Sequence, residues 1–197
     1  MTKAINVRIG PEIVRSYRRL AYQMWWAIAE FVDNSTQSYF DNRNLLDGLN
    51  IDRLPNEHRL EVRLAYDKDA KTLRITDNAM GMDEADLDRA LAIGTPPLNR
   101  SGRSEFGLGM KTAASWIGDR WTVQTTKFGV GKELTIEFDV ERIASGDSDV
   151  RLKQRDIDPD AHYTIIEISM MHQKIGGRLL GRLKENLRSI YRLDTRS

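Results

Sequence analysis

The chain's 197 residues suffice for one domain with a full-sized core, and 30 basic against 29 acidic residues argue against a global polyanion-binding surface. The absence of cysteine excludes disulfides, thiol nucleophiles and thiolate metal sites together. Three histidines, His58, His162 and His172, lie far apart without ligand spacing, so no structural zinc site is expected.

Residues 11 to 20 and 21 to 40 read as two helices, the first opening with Pro11 at a favoured early position. In the second, Met24, Ile28 and Phe31 repeat at helical intervals, with Trp25 and Ala27 alongside. Glu30 and Asn34 fall about one turn apart on one face of this helix. A carboxylate among apolar neighbours is costly to bury unless something compensates it. A cation held by Asn34 and a water polarised by Glu30 would do so. Taken alone, an acid and an amide at this spacing are more often a solvated surface pair. The apolar run from Trp25 to Val32 is interrupted by Glu30 and falls far short of the ~20 residues of a membrane span. With no signal-peptide core at the N-terminus, a soluble cytoplasmic protein without membrane partners is the expectation.

Asp41 to Asn56, rich in Asn, Asp and Gly, reads as a loop with room for a short helical turn. Leu60 to Tyr66 alternates as a half-buried strand does, and Asp67-Lys68-Asp69 turns the chain. The next strand, Thr72 to Thr76, delivers Asp77-Asn78-Ala79-Met80-Gly81-Met82. Asp83 caps a helix to about Ala92, with acids near its positive end. Residues 93 to 106, with Gly94, Pro96, Pro97 and Gly102, read as irregular. Gly107 leads into a helix to about Ile117, and strands follow near 120–126, 132–140, 149–155 and 162–169. Strands joined by short turns after a helical half predict an α+β fold. The sheet is expected to be mixed and mostly antiparallel, with helices on one face.

From Met171 to Ser197 seven basic residues face two acids, while Leu179, Leu180, Leu183, Leu187 and Ile190 repeat at helical spacing. An amphipathic helix that docks its apolar side and leaves a basic face in water fits this pattern. That face is more simply a solvated surface than a nucleic-acid contact.

Four segments, in order, resemble the boxes of the GHKL ATPases, the superfamily of gyrase B, the heat-shock chaperones, MutL and sensor histidine kinases. They are Glu30 to Asn34; Asp77 to Met82; Ser104-Glu105-Phe106-Gly107-Leu108-Gly109-Met110-Lys111; and Tyr163 to Ile168 with Thr164 inside. The resemblance covers about residues 25 to 170. Asp33-Asn34-Ser35 and Gly109-Met110-Lys111-Thr112 look most like the MORC-type branch. The fold implied is the Bergerat two-layer α/β sandwich, and the ligands implied are ATP, its product ADP, and magnesium.

By resemblance, Asp77 matches the adenine-binding aspartate, an acceptor whose charged hydrogen bond contributes roughly 1.5–3 kcal/mol. Alone, it would be a turn aspartate bonded to nearby amides. Gly81 lets the backbone approach the base, Met82 packs on the ring, and Thr164 shares a water with the aspartate and the adenine. Ordinary core and an ordinary strand hydroxyl are the bland readings of Met82 and Thr164. Gly107, Leu108, Gly109 and Met110 bring backbone amides to the phosphates at a helix start, with Lys111 adding a cation. As an isolated residue Lys111 would be a routine surface lysine. Asn34 matches the magnesium ligand and Glu30 the general base for the attacking water. Asp33 receives no catalytic role, and that of Gln37 stays open.

Three positions depart from the pattern. Ala79 stands where most relatives have glycine, so the backbone there must avoid positive φ or bear strain. Tyr163 replaces a common glycine, and Ser104 stands where some relatives have a third.

The leading expectation is an ATPase of low intrinsic turnover, with nucleotide-controlled lid closure and ATP-dependent homodimerisation or coupling to a C-terminal domain. In the family a second domain follows at this point, so one GHKL domain spanning 1–197, an N-terminal fragment, is expected. A histidine or serine kinase core is the rival within the superfamily. No histidine precedes Glu30, and those kinases generally lack such a glutamate. A non-catalytic, ATP-regulated nucleic-acid-binding module, using the basic C-terminal helix or a missing domain, is the rival of another class.

Overall fold

The computed structural model describes residues 2–6, 23–49, 60–91, 109–147 and 149–190. In chain order these form β1 (Thr2–Asn6), α1 (Met24–Asp41), α2 (Arg43–Gly48), β2 (Val62–Asp67), β3 (Thr72–Asp77), α3 (Glu84–Leu91) and α4 (Gly109–Ile117). The second half continues with β4 (Gly118–Thr126), β5 (Lys132–Asp139), α5 (Val140–Ala144), β6 (Asp149–Asp156), β7 (Tyr163–Met171) and α6 (Gly177–Ile190). The helix expected over 11–20 and the irregular stretch expected over 93–106 lie outside the described residues.

One seven-stranded sheet runs in the order β1-β6-β5-β4-β7-β3-β2, and every pairing described in it is antiparallel. Strand alternation decides its two faces. Leu73 and Ile75, Trp121 and Val123, Ile136 and Phe138, and Ile166 and Ile168 point into one core with Ala27, Ile28 and Phe31 of α1 and Ala113 of α4. Trp121 stacks on its register partner Phe138 with ring centroids 4.4 Å apart. The residues between them face the other way. There Arg74 and Glu167 pair across β3 and β7 at 3.2 Å. The architecture is therefore an α+β two-layer sandwich with its helices on one face.

Local chemistry sets the element ends. The Asp67 carboxylate accepts from the amides of Asp69 and Ala70 and closes the β2–β3 turn. Asp83 accepts from the Asp86 amide at 2.8 Å, while Asp86 reaches back to the Asp83 amide at 3.2 Å. This reciprocal cap starts α3 as the sequence predicts. Two elements were not expected. β1 pairs with β6 at the sheet edge, and α5 begins because Asp139 caps the Arg142 amide at 3.0 Å. The strand expected to reach residue 140 therefore stops at Asp139. On α6, Leu183 is buried and Leu179 packs on the core, while Arg178 and Arg182 are exposed.

The folding pattern gathers particular residues at one end of the sheet. Asp77, the last residue of β3, lies opposite Thr164 near the start of β7, and Thr164 lies opposite Thr125 near the end of β4. All three sit on the helix-covered face.

Candidate functional site

Asp77 is the centre of this cluster. Its Oδ2 accepts from Ser35 Oγ at 2.7 Å and its Oδ1 from the Ala79 amide at 3.0 Å. Burial pushes the carboxyl above its ordinary pKa, and the hydrogen bonds from Ser35, Ala79 and the Thr164 backbone pull against that. Ala79 is buried and its φ is not positive, so the residue in place of glycine avoids strain. Its carbonyl lies 2.9 Å from His162 Nδ1. Gly81 does take a left-handed conformation, with φ of +71°. A Cβ built there would lie 1.8 Å from the Thr126 carbonyl oxygen. Only glycine lets this loop press against the ends of β4 and β7. Met82 packs partly on the core, and its amide donates to Thr125 Oγ1 at 3.0 Å.

Helix α1 supplies the second half. Its core-facing residues are Met24, Ala27, Ile28, Phe31, Val32 and Ser35, whose period turns Glu30 and Asn34 to the half-buried flank. Ser35, next to Asn34, is the residue that reaches Asp77. Glu30 meets α4 at its first residue: a Cβ built on Gly109 would lie 2.1 Å from Glu30 Oε2. Burial first, and the Asp33 carboxylate second, raise the Glu30 pKa. Lys111, two residues further along α4, is fully buried rather than on the surface, and desolvation lowers its pKa to about 8. Met110 packs partly on the core.

The structure thus brings Glu30 to Gly109, and Ser35 to Asp77 beside Thr164. Gly107, Leu108 and Ser104 lie outside the described residues. Gln37 donates to Asp41 at 2.7 Å in an exposed pair along α1. Tyr163 points to the opposite face from Thr164, where its hydroxyl donates to Glu133, so it does not enter the cluster. Two contributors escaped the sequence reading. Ser35 enters the sequence reading only within the Asp33-Asn34-Ser35 likeness and Thr125 only within a strand; nothing local ties either to its partner, which is distant in sequence.

Chemically, the arrangement offers an acceptor-rich end at Asp77 and Thr164, a helix N-terminus opened by glycine, a buried lysine, and a carboxylate whose basicity is raised. Among the described residues no three acidic or histidine side chains gather as a metal cage. A hard cation here would bind the Asn34 carbonyl oxygen and draw its other ligands from an anionic ligand and water, a donor set that suits magnesium.

Comparison with known proteins identifies the family. Residues 22–172 match the model of the histidine kinase-, DNA gyrase B-, and HSP90-like ATPase family. The chain is also similar to the chaperone protein HtpG of Paraburkholderia xenovorans (strain LB400), at 32% identity over 117 residues. That match takes in 50% of this chain but 17% of the relative, so the chain spans a small part of its length. No helix among the described residues is long and apolar enough to cross a membrane. The family match runs from the start of α1 through β7 and takes in every residue gathered above; the chain belongs to the histidine kinase-, DNA gyrase B-, and HSP90-like ATPase family.

Proposed function

We propose that the chain binds ATP with magnesium and hydrolyses it slowly, through the residues that meet around α1. The observation that carries this reading is the double attachment of α1, which touches Asp77 through Ser35 at 2.7 Å and abuts Gly109 through Glu30. One helix thereby links a base-recognising end to a phosphate-recognising end.

In this reading Asp77 and Thr164 receive the adenine edge, while Gly81 and Met82 form the backbone and side-chain wall beside it. The amides of Gly109 and Met110 at the start of α4 take the phosphate oxygens, aided by the helix dipole, and Gly107 and Leu108, which precede them in the sequence, are assigned the same role. Lys111 supplies a cation whose charged form burial disfavours and phosphate would restore. Asn34 would hold magnesium, which when bound supplies neutralisation of the phosphate charge. Glu30 orients the attacking water and accepts its proton, and burial makes it a stronger base than an ordinary glutamate. The water's oxygen forms the new bond to the terminal phosphorus as the bond to the bridging oxygen breaks. Slow turnover, nucleotide-controlled lid closure, ATP-dependent dimerisation and the MORC-type affinity belong to the same reading.

Calorimetric titration with a nonhydrolysable ATP analogue and magnesium tests it. The parent should bind and Asp77→Asn should lose most of the affinity; equal affinity in the two would defeat the adenine assignment. Phosphate release by Glu30→Ala at the parent's rate would remove Glu30 as the base. Light scattering with and without the analogue reads the dimer directly, and an unchanged mass would remove that element.

A further inference from the structure

The sheet ends at β2 on one side, and among the described residues nothing pairs with the outer edge of that strand. Val62 and Tyr66 pack partly on the core, while Leu64 between them, on the same helix-covered face, is 41% exposed. Arg63, Ala65 and Asp67 are exposed on the other face.

The phase of the free edge follows from the paired one. The Asn78 amide donates to the Glu61 carbonyl at 3.4 Å, and the Glu61 amide donates to Asn78 Oδ1 at 2.7 Å. Antiparallel ladders alternate, so Arg63, Ala65 and Asp67 turn their backbone groups toward β3. Val62, Leu64 and Tyr66 turn theirs outward. A row of outward donors and acceptors is a template for another strand.

Charge decides which strand fits. Two copies of β2 can pair antiparallel, with their helix-covered faces on the same side, only about a residue that faces its own copy, because side chains alternate. Pairing about Leu64 sets Glu61 against Asp67 of the other copy, and pairing about Arg63 opposes two guanidiniums. Pairing about Val62 or Tyr66 runs off one end of the strand. Pairing about Ala65 keeps residues 63–67 within the strand and sets Arg63 against Asp67 on both sides of the axis, with Leu64 against Tyr66. Opposite charges across a ladder are favourable and like charges unfavourable. The atoms match too. Arg63 meets Glu61 through Nε at 2.7 Å and Nη2 at 2.9 Å, which leaves Nη1 for the other copy. Asp67 holds its turn amides through Oδ1, which leaves Oδ2 for Arg63.

We propose that the β2 edge is a self-association surface: two copies join antiparallel through residues 63–67, about a twofold axis at Ala65, into one continuous sheet. The outward backbone groups of Leu64 and Tyr66 supply the hydrogen bonds, and the charges select the register. This association needs no nucleotide and so goes beyond the ATP-dependent dimerisation above. An edge of this length lies at the small end of protein interfaces, which corresponds to association in the micromolar range.

The chain has no cysteine, so Ala65→Cys carries its only thiol. Opposed residues of a non-hydrogen-bonded pair stand about 4.5 Å apart at Cα, within disulfide reach. Under mild oxidation without nucleotide, Ala65→Cys should give a covalent dimer on nonreducing gels. Leu64→Cys is exposed as well, but in this register it lies diagonal to its own copy, at about 7–8 Å, and should cross-link about tenfold less. Sedimentation velocity without nucleotide should show the parent's mass rising with concentration up to about 100 µM, and Arg63→Asp should weaken that association about tenfold. A parent that stays monomeric at that concentration overturns the proposal, and the edge is then a solvated one or takes an extended peptide of another protein. Equal cross-linking of the two cysteine variants would mean random collision and overturns it too, as does an Arg63→Asp variant that associates like the parent. A parent that associates only with the ATP analogue present supports the nucleotide-dependent dimer and sinks this one.

Discussion

Lys111 gives the sharpest test of whether the cluster is built for an anion. Its side chain has 0% exposure, and burial lowers its pKa from 10.5 to about 8. Between those two values the unfolded chain holds a proton that the folded chain has released. Stability must therefore rise as pH climbs through that window and stay level, for this group, below and above it. At about 1.4 kcal/mol for each pH unit, the window contributes about 3 kcal/mol. Below pH 8 the fold carries a buried ammonium and lacks this increment. Lys111→Met keeps the apolar stem and has nothing to titrate. Relative to the parent it should gain about 3 kcal/mol in stability between alkaline pH and pH 7. Urea unfolding of both proteins at intervals from pH 7 to alkaline pH measures this, and parallel profiles would refute the reasoning.

The same lysine ties stability to binding. A phosphate beside it would favour the ammonium, so nucleotide should draw a proton from solution where the folded group is otherwise neutral. Near its pKa of about 8 the uptake should be about half a proton per nucleotide, rising toward one at higher pH. Calorimetry at one pH in two buffers of different ionisation enthalpy reads that number. Lys111→Met should lose both the uptake and affinity. Identical enthalpies in the two buffers would detach Lys111 from the phosphates.

Gly81→Ala should cost about 3 kcal/mol or more in denaturant unfolding, since its φ is +71° and the new Cβ would lie 1.8 Å from a backbone oxygen; a loss under about 1 kcal/mol would contradict the packing there. Gly109→Ala meets only the end of the Glu30 side chain, at 2.1 Å, so melting should move little while turnover falls about tenfold or more. Ser35→Ala removes the 2.7 Å donor to Asp77 and should cost about 1–2 kcal/mol. It should also weaken nucleotide binding more at acidic than at neutral pH, because Asp77 then protonates more easily; a uniform effect would argue against it. Hydrolysis should decline as pH falls through the raised pKa of Glu30. Asp33→Asn should move that decline to lower pH, and an unmoved profile would show that another group titrates.

What the sequence disclosed follows the range of the interactions involved. The strands from β2 to β7 were visible because burial alternates with period two, as in Leu73 and Ile75 or Trp121 and Val123. The caps at Asp67 and Asp83 were visible because donor and acceptor lie within three residues of each other. Strand order was not, since β3 finds β7 across nearly half the chain and alternation names no partner. β1 was missed because it is short and at an edge, where one neighbour decides pairing. Short α5 carries too few residues to show a period, and its signal was the single cap at Asp139. Lys111 misled for a different reason: a charged residue is read as exposed unless its burial is offset by something the sequence does not display.

The cluster's charged groups share one property that explains why such residues sit against a core. Burial raises the pKa of Glu30 and of Asp77 and lowers that of Lys111, so each is disfavoured in its charged form. A fold selected for stability alone would replace them with apolar side chains of similar size. On the proposed reading, a magnesium-chelated adenine nucleotide carries all three complements at once: the phosphates for Lys111, the cation and its waters for Glu30, and the exocyclic amino donor for Asp77. Binding that offsets three separate desolvation costs must stabilise the fold by more than the contacts of any one residue. Single substitutions at Glu30, Asp77 and Lys111 should consequently be non-additive in their effect on nucleotide-induced stabilisation, with the triple variant losing less than the sum of the three. Strict additivity in thermal-shift measurements would mean that the three groups act on separate ligands.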